Sequence, residues 1–487
     1  MGVSALCLYL WLAPPVSGDQ DASELTLALA LQGVPHPTGY PLYAMLGHGF
    51  CVLLHALGAT WSYAANAWSA VGGGVAIAFL HAVAARLLPR AIGRSRAASF
   101  GWALLPAGLF ALDPVWTMSA ALAEIHSWHL AWAGGICLLY VRLASAAPSP
   151  HHAARDAAAW GFVVGLGLAH HVTAALMAAP LTVALGLLWA RSGGLGRRAA
   201  IALAAFVVPL LSYAFVAFRA FHPAPYQWPL LAPSWRGVIG HVLGGGYGHF
   251  LGRFEPSDLQ RGFLAAYVYP LLIPGLLALA LVALRAKRRP ERFVGWGFLA
   301  AALVQLAYVF QYGVPDPAAY FLPPLFLGLL AIPAALALAP LRGAGRVALA
   351  AGAALVVLLL TVPWLRVATE RREGFVAVDR HLRALWRALP FDRGIVLWPS
   401  DMHTRFREYQ LFDHEKPRVF VSSPNLLTFE RPRADFERRF GFDPLAGIAI
   451  ASEADVARIA ANVNRRTRLP VVEVDAMGIT DRLLPKP

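Results

Sequence analysis

Apolar runs of about twenty residues, divided by short arginine clusters, recur along most of this chain and leave it few ways to fold. A run of that length crosses a hydrocarbon core as a helix, because lipid offers backbone N–H and C=O groups no partner and a helix pairs them internally. With 487 residues, 58% of them hydrophobic and 14% charged, the chain has more apolar surface than a soluble fold of this size hides. It therefore reads as a polytopic membrane protein, mainly α-helical. About eleven spans are expected, near residues 3–16, 61–83, 98–112, 120–143, 157–170, 172–190, 199–221, 263–284, 293–311, 319–338 and 347–365.

The formal net charge of +14 raises the question of nucleic acid, and the placement of the charge answers against it. The basic residues lie in RLLPRAIGRSR (86–96), RSGGLGRR (191–198), RAKRRPER (285–292) and LRGAGR (341–346), each between two apolar runs. Alternating the spans from a cytoplasmic N-terminus puts all four on the cytoplasmic side, where Lys and Arg collect. This topology requires residues 40–58 to lie along the outer surface. It also requires residues 157–190 to be two short helices, since a single one would run to roughly 50 Å. The N-terminal run lacks the basic residues of a signal peptide and reads as a short first helix. Cys7, Cys51 and Cys137 fall in apolar runs without metal-ligand spacing and read as small buried residues.

The same topology gathers the chemically loaded residues on the outer face. Directly after the first run come Asp19, Asp21 and Glu24, then His36 and Tyr40 in the proline-rich HPTGYPLY. Carboxylates are costly beside hydrocarbon, so a cluster there suggests a site. Asp21 and Glu24 share a face if the segment is helical. A base with a supporting carboxylate or metal ligand fits them, and so does a solvated helix N-terminus. Asp19-Gln20-Asp21 has the D-x-D form of metal-dependent sugar transferases, which leaves a divalent metal open. The face also receives Glu124, expected one turn into a helix, with His126, His170 and His171. Arg219, the loop 222–262 and Asp316, in a rigid VPDP turn, complete it. Snorkelling accounts for Arg219 equally well, and the aromatic belt accounts for Trp228 and Trp235.

Beyond residue 366 the composition turns charged. GIVLWPS, PRVFVSS, AGIAIAS and LPVVEVD read as short strands, with helical RADFERRF and EADVARIAANVNRR between them. Residues 1–366 are thus expected to form a membrane domain with its first outer loop at 17–60, and residues 367–487 a small extramembrane α/β domain. It has no glycine-rich phosphate loop.

Taken in order, these stretches resemble the membrane-protein family related to eukaryotic transmembrane O-mannosyltransferases, within the GT-C glycosyltransferase superfamily. Carrying the resemblance are DASE (21–24), HPTGYPLY (36–43) with Thr38 where a second proline is usual, and Asn66 in YAANAWSA. WTMSAALAEIH follows, with His126 in place of Tyr, then HHVT, with His170 in place of Asn, FRAFHPAPYQW, GGGYGHF and VPDPAAYFLPP. The resemblance implies inverting transfer of a sugar, a mannose-like hexose, from a polyprenyl-phosphate donor to an acceptor hydroxyl outside the cytoplasm, as in protein O-glycosylation. Lipid and polysaccharide acceptors stay open. It makes Asp21 the base, with Glu24 beside it. Asp19, His36, Tyr40, Glu124, His171, Arg219 and Asp316 become substrate-binding candidates, with Arg219 first, then Arg253 and His171, as candidates to face the phosphate. A secondary transporter or a non-catalytic scaffold is the competing reading. The transporter would place ionisable groups at the bilayer midplane, whereas these acids cluster at one face.

Overall fold

The computed structural model describes residues 1–18, 21–92, 96–145, 150–286, 289–314, 317–338, 344–475 and 478–483. Asp19 and Asp316 lie outside them, and with Asp19 the D-x-D reading.

A short helix α1 (Gly2–Leu12) leads to α2 (Asp21–Leu31), which carries the acids, and α3 (Pro41–Ala56) begins at the proline of the HPTGYPLY element. The 32-residue α4 (Trp61–Ile92) forms the spine of the bundle, touching α1, α2 and α3 along its length. After α5 (Arg96–Trp102), α6 (Leu104–Leu112) and α7 (Pro114–Ala121) meet at a 69° bend. The bend has a local cause: Asp113 caps α7, accepting from Val115 N–H at 2.9 Å and Trp116 N–H at 3.0 Å, with Pro114 at the first helical position. Tyr9 ties α1 to this corner, donating to the Ala111 carbonyl at 2.9 Å and accepting from Trp116 Nε1 at 2.8 Å.

Next come α8 (His126–Ser145), α9 (Pro150–His170) and α10 (Ala174–Ser192), so residues 157–190 do form two helices, broken at His171. Arg142 and Asp156 pair at 2.7 Å across the α8–α9 turn at the far end. α11 (Leu195–Leu210) and α12 (Ala214–Phe221) are one rod loosened at Pro209, followed by α13 (Trp235–Val242) in the loop beyond. α14 (Asp258–Phe263) passes through a π turn into α15 (Tyr269–Arg285), and α16 (Arg289–Val309) and α17 (Leu322–Leu338) follow. α15 and α17 cross at Gly275 and Gly328, where a Cβ on either residue would come within about 3.0 Å of the other's backbone.

Among the described residues, seven helical stretches are long and apolar enough to cross a membrane, and an eighth if the bent α6–α7 pair is one span. The eleven expected spans include α1, which has only 11 residues, and α8 and α9, which have 20 and 21. These last two reach about 30 Å. Their hydropathy is lowered by the histidines they carry to the loaded end and by Arg142, Arg155 and Asp156 at the other.

The last membrane helix, α18 (Ala344–Ala388), runs unbroken for 45 residues, so the expected boundary at 366 falls inside a helix. The domain it enters is a four-stranded sheet of β1 (Arg393–Leu397), β2 (Arg418–Ser422), β3 (Val471–Asp475) and β4 (Gly478–Leu483), ordered β2-β1-β3-β4. β1 pairs parallel to β2 and β3, and β4 is antiparallel. Helices α19 (His403–Phe412), α20 (Pro424–Leu427), α21 (Glu430–Phe440) and α22 (Glu453–Arg466) complete it. AGIAIAS is not the expected strand. Gly447 turns the chain at φ +79°, Ile448 packs toward the domain core and Ser452 caps α22, so the segment is a packed loop.

Candidate active site

The site is built on α2. Its residues from Ala22 to Ala30 are all buried, yet Asp21 at the first turn has a side chain 56% exposed. Acids in a first turn face the positive end of the helix dipole, which favours both Asp21 and Glu24. Glu24, one turn on, is 5% exposed and turns to the loop that follows the helix. There it accepts from the His36 backbone N–H at 2.6 Å, and its second oxygen lies 3.2 Å from His36 Nδ1. The other ring nitrogen, Nε2, faces Asp21 at 3.9 Å.

Burial alone would lower the His36 imidazole, but Glu24 and Asp21 outweigh it and push its pKa up to about 9. Burial raises the Glu24 carboxyl in turn, and His36 pulls it back.

The loop from Gly33 to Tyr40 is held from every side. Trp228 N–H donates to the Val34 carbonyl at 2.8 Å, and the His241 ring meets the Pro35 carbonyl at 3.1 Å. Gly39 has φ +82°, and a Cβ there would come within 3.2 Å of His241 and Val216, so only glycine fits. Tyr40 itself sits in the left-handed region at φ 40°, which costs a non-glycine residue about 1–3 kcal/mol. Two contacts hold it there: its hydroxyl donates to the Pro37 carbonyl at 3.0 Å, and its ring stacks on His171 at 5.4 Å. Tyr40, Trp228 and Tyr247 surround the His36 ring with centroids at 5.2, 6.0 and 6.3 Å.

His171 occupies the break between α9 and α10, fixed by a 2.6 Å contact from its Nδ1 to Thr173 Oγ1. Glu124 lies in the non-helical turn between α7 and α8, not one turn into a helix as expected, because α7 ends at Ala121 and α8 starts at His126. Ser69 fixes that turn by bonding the Glu124 N–H and carbonyl, each at 3.0 Å, and the Glu124 charge adds to the field on His36. Asn66 is the brace between these parts. Its amide donates to the Pro14 and Val16 carbonyls at 2.9 and 3.0 Å and accepts from Ala123 N–H at 2.8 Å. One side chain thus joins the approach to Asp21 with the turn of Glu124.

Arg219 is placed differently. It donates to Gln32 at 2.5 Å, past the C-terminal end of α2 and about 16 Å along the helix axis from Asp21. Arg253 belongs to a strip zipped onto the segment before residue 315: Gly252 N–H bonds the Gln311 carbonyl at 2.6 Å and Gly313 N–H the Phe250 carbonyl at 2.9 Å. The structure therefore brings together Asp21, Glu24, His36, Tyr40 and His171, with Glu124 adjacent, while Arg219 bonds Gln32 beyond the C-terminal end of α2. Sequence reasoning gave no role to Tyr247 or Ser69. Tyr247 stood inside the GGGYGHF element, which was the available signal.

Asp21, Glu24 and His36 also offer three donor atoms within 4.8 Å of one another. Two carboxylates and an imidazole suit a divalent ion, but two of the donor atoms are engaged with each other through the Glu24–His36 contact. An ion there would have to replace that contact and its proton.

Residues 21–192 match the family model of the protein O-mannosyl-transferase TMEM260 N-terminal domain. No curated protein matches the chain. Among solved structures, it is similar to ArnT from Cupriavidus metallidurans bound to undecaprenyl phosphate, with TM-score 0.53, 15% identity and coverage of 88% of this chain and 89% of that one. It is also similar to the Archaeoglobus fulgidus oligosaccharyltransferase in complex with Zn and sulfate, with TM-score 0.50, 14% identity and coverage of 97% and 67%. The chain thus shares the fold of these two solved structures, and its residues 21–192 are the part that matches the O-mannosyl-transferase N-terminal domain.

Proposed function

We propose that the chain moves a mannose-like hexose from a polyprenyl-phosphate donor to a protein hydroxyl on the extracytoplasmic side of the membrane, with inversion at the anomeric carbon. The observation that carries this reading is the placement of Asp21: it is the exposed carboxylate of the cluster, directed at a His36–Glu24 pair that is itself buried and committed. As base, Asp21 takes the acceptor proton while the acceptor oxygen forms its bond to the anomeric carbon. The carbon–phosphate-oxygen bond breaks, its electron pair stays on the lipid phosphate, and a single displacement inverts the centre. Protonated His36 keeps positive charge beside Asp21. His171, stacked on Tyr40 within the same cluster, is the group we assign to the departing phosphate, ahead of the more distant Arg219. Glu124 and Tyr247 are assigned to the sugar hydroxyls and ring.

Support for the donor is the undecaprenyl phosphate in the ArnT structure, and support for a protein acceptor and mannose is the name of the matching family. The extracytoplasmic orientation rests on the basic loops at the opposite end of the bundle. A bound divalent ion would be held by Asp21, Glu24 and His36 and would supply charge neutralisation for the leaving phosphate. The test is transfer of radiolabelled mannose from its polyprenyl phosphate by the purified protein in vesicles, with and without chelator, and identification of the labelled product. Label in protein supports the reading. A chain that labels nothing from this donor overturns it.

A further inference from the structure

The face of α2 turned away from the site is bonded to the extramembrane domain. Ser23 lies about 200° around the helix from Asp21 and is fully buried. Its hydroxyl donates to Glu408 Oε1 on α19 at 2.7 Å. Glu408 is 3% exposed, a burial a carboxylate tolerates only with several partners. Its second oxygen accepts from Arg405 at 3.1 Å. Arg405, 2% exposed, also pairs with Asp379 on α18, which accepts from the Tyr409 hydroxyl at 2.8 Å. α18 is anchored in turn where Arg371 donates to the Pro114 carbonyl at 2.8 Å, on the first turn of α7. Leu411 and Phe412 at the end of α19 pack with Tyr226 on Leu27 and Ala28 of α2. A closed frame thus runs from the membrane bundle through α18 and the buried ion cluster back to the acid-bearing helix. Asp401, just before α19, acts electrostatically on Tyr226 and Tyr247, the same two phenols that feel Asp21 and Glu24.

We propose that Glu408 is a positioning residue for the reaction: through its bond to Ser23 it fixes the rotation of α2 that aims Asp21 and Glu24 at His36. A hydrogen bond at one point of a helix sets rotation where apolar packing alone allows slip, and a rotation of α2 by a few tens of degrees would carry Asp21 away from the His36 ring. The extramembrane domain is then part of the catalytic machinery although Glu408 touches no reacting atom.

This inference rests on the transferase reading, so the experiment carries a second readout. Ser23→Ala, Ser23→Thr and Glu408→Gln are compared with the parent full-length protein in vesicles. Steady-state mannosyl transfer is measured beside amide hydrogen exchange of residues 21–31 by mass spectrometry. Expected are a roughly tenfold fall in kcat for Ser23→Ala and Glu408→Gln at unchanged KM for the donor, faster exchange confined to 21–31, and recovery of both in Ser23→Thr. Wild-type kcat in the two variants overturns the proposal, even where exchange rises, because the bond is then structural only. If the parent protein transfers no sugar, the transferase reading fails, and exchange alone decides whether Glu408 holds the helix: unchanged exchange overturns that too.

Discussion

Glu24 grips His36 with both carboxylate oxygens, one on the backbone N–H at 2.6 Å and one on Nδ1 at 3.2 Å, across the rest of α2 and the start of the loop that follows it. The contact closes the HPTGYPLY loop over the end of α2 and leaves Nε2 as the ring atom turned to Asp21. A helix acid and a loop histidine become a single charged unit beneath one exposed carboxylate.

Removing the grip should cost stability before it costs chemistry. Glu24→Ala leaves a buried imidazolium without its counter-charge, which destabilises by about 3–5 kcal/mol. Glu24→Gln keeps one acceptor for the His36 N–H and should cost about 1–3 kcal/mol. Thermal unfolding in detergent measures both, and equal losses in the two variants would contradict the charged pairing.

The same pair gives the folded protein a pH signature. His36 titrates at about 9 in the fold against 6.5 ordinarily, so the folded state holds its proton more tightly than the unfolded state. The stabilisation is complete below about 6.5 and is lost as pH rises through about 9, amounting to about 3 kcal/mol. Unfolding temperature should decline across that window in the parent protein and stay flatter in His36→Gln. A parent profile that rises from pH 6.5 to 9 would refute the assignment.

Asn66→Ala should be costly for a residue that touches no acid. It deletes three hydrogen bonds and leaves the Pro14 and Val16 carbonyls and the Ala123 N–H unpaired, for about 2–3 kcal/mol. Because Val16 and Asp21 are five residues apart, transfer should fall further than stability explains. Specific activity per folded molecule, measured against the thermal midpoint, separates the two effects.

Orientation is open to direct labelling. With exposed Cys7 changed to Ser, a cysteine at Glu255 should react with an impermeant maleimide in intact cells. One at Gly193, between α10 and α11, should react only after permeabilisation. Reaction of both from the same side would overturn the topology.

What the sequence disclosed was the part that depends on spacing. Asp21 and Glu24 share a face because three residues make most of a turn, and the split of residues 157–190 follows from helix length against bilayer thickness. The match of Asn66 to a family pattern marked the residue, and only the fold shows its task of joining the approach to α2 with the Glu124 turn. Glu124 was read as helical because nothing in SAALAEIH breaks a helix; tertiary bonds from Ser69 and Asn66 hold that turn open. Ser23 and Glu408 were invisible because they are 385 residues apart and neither stands out in its own neighbourhood. Arg219 was chosen as a cation at the end of a span, but its Gln32 partner sits at the far end of α2.

The central claim is that Asp21 is the base, and its amide variant tests it most directly. Asp21→Asn keeps the volume of the side chain, half-exposed in the parent, so the protein should insert and unfold as the parent does. Transfer of radiolabelled mannose from polyprenyl phosphate should fall by about 10²–10⁴ in kcat with little change in KM for the donor. A folded Asp21→Asn protein that transfers sugar at the parent rate would contradict the account.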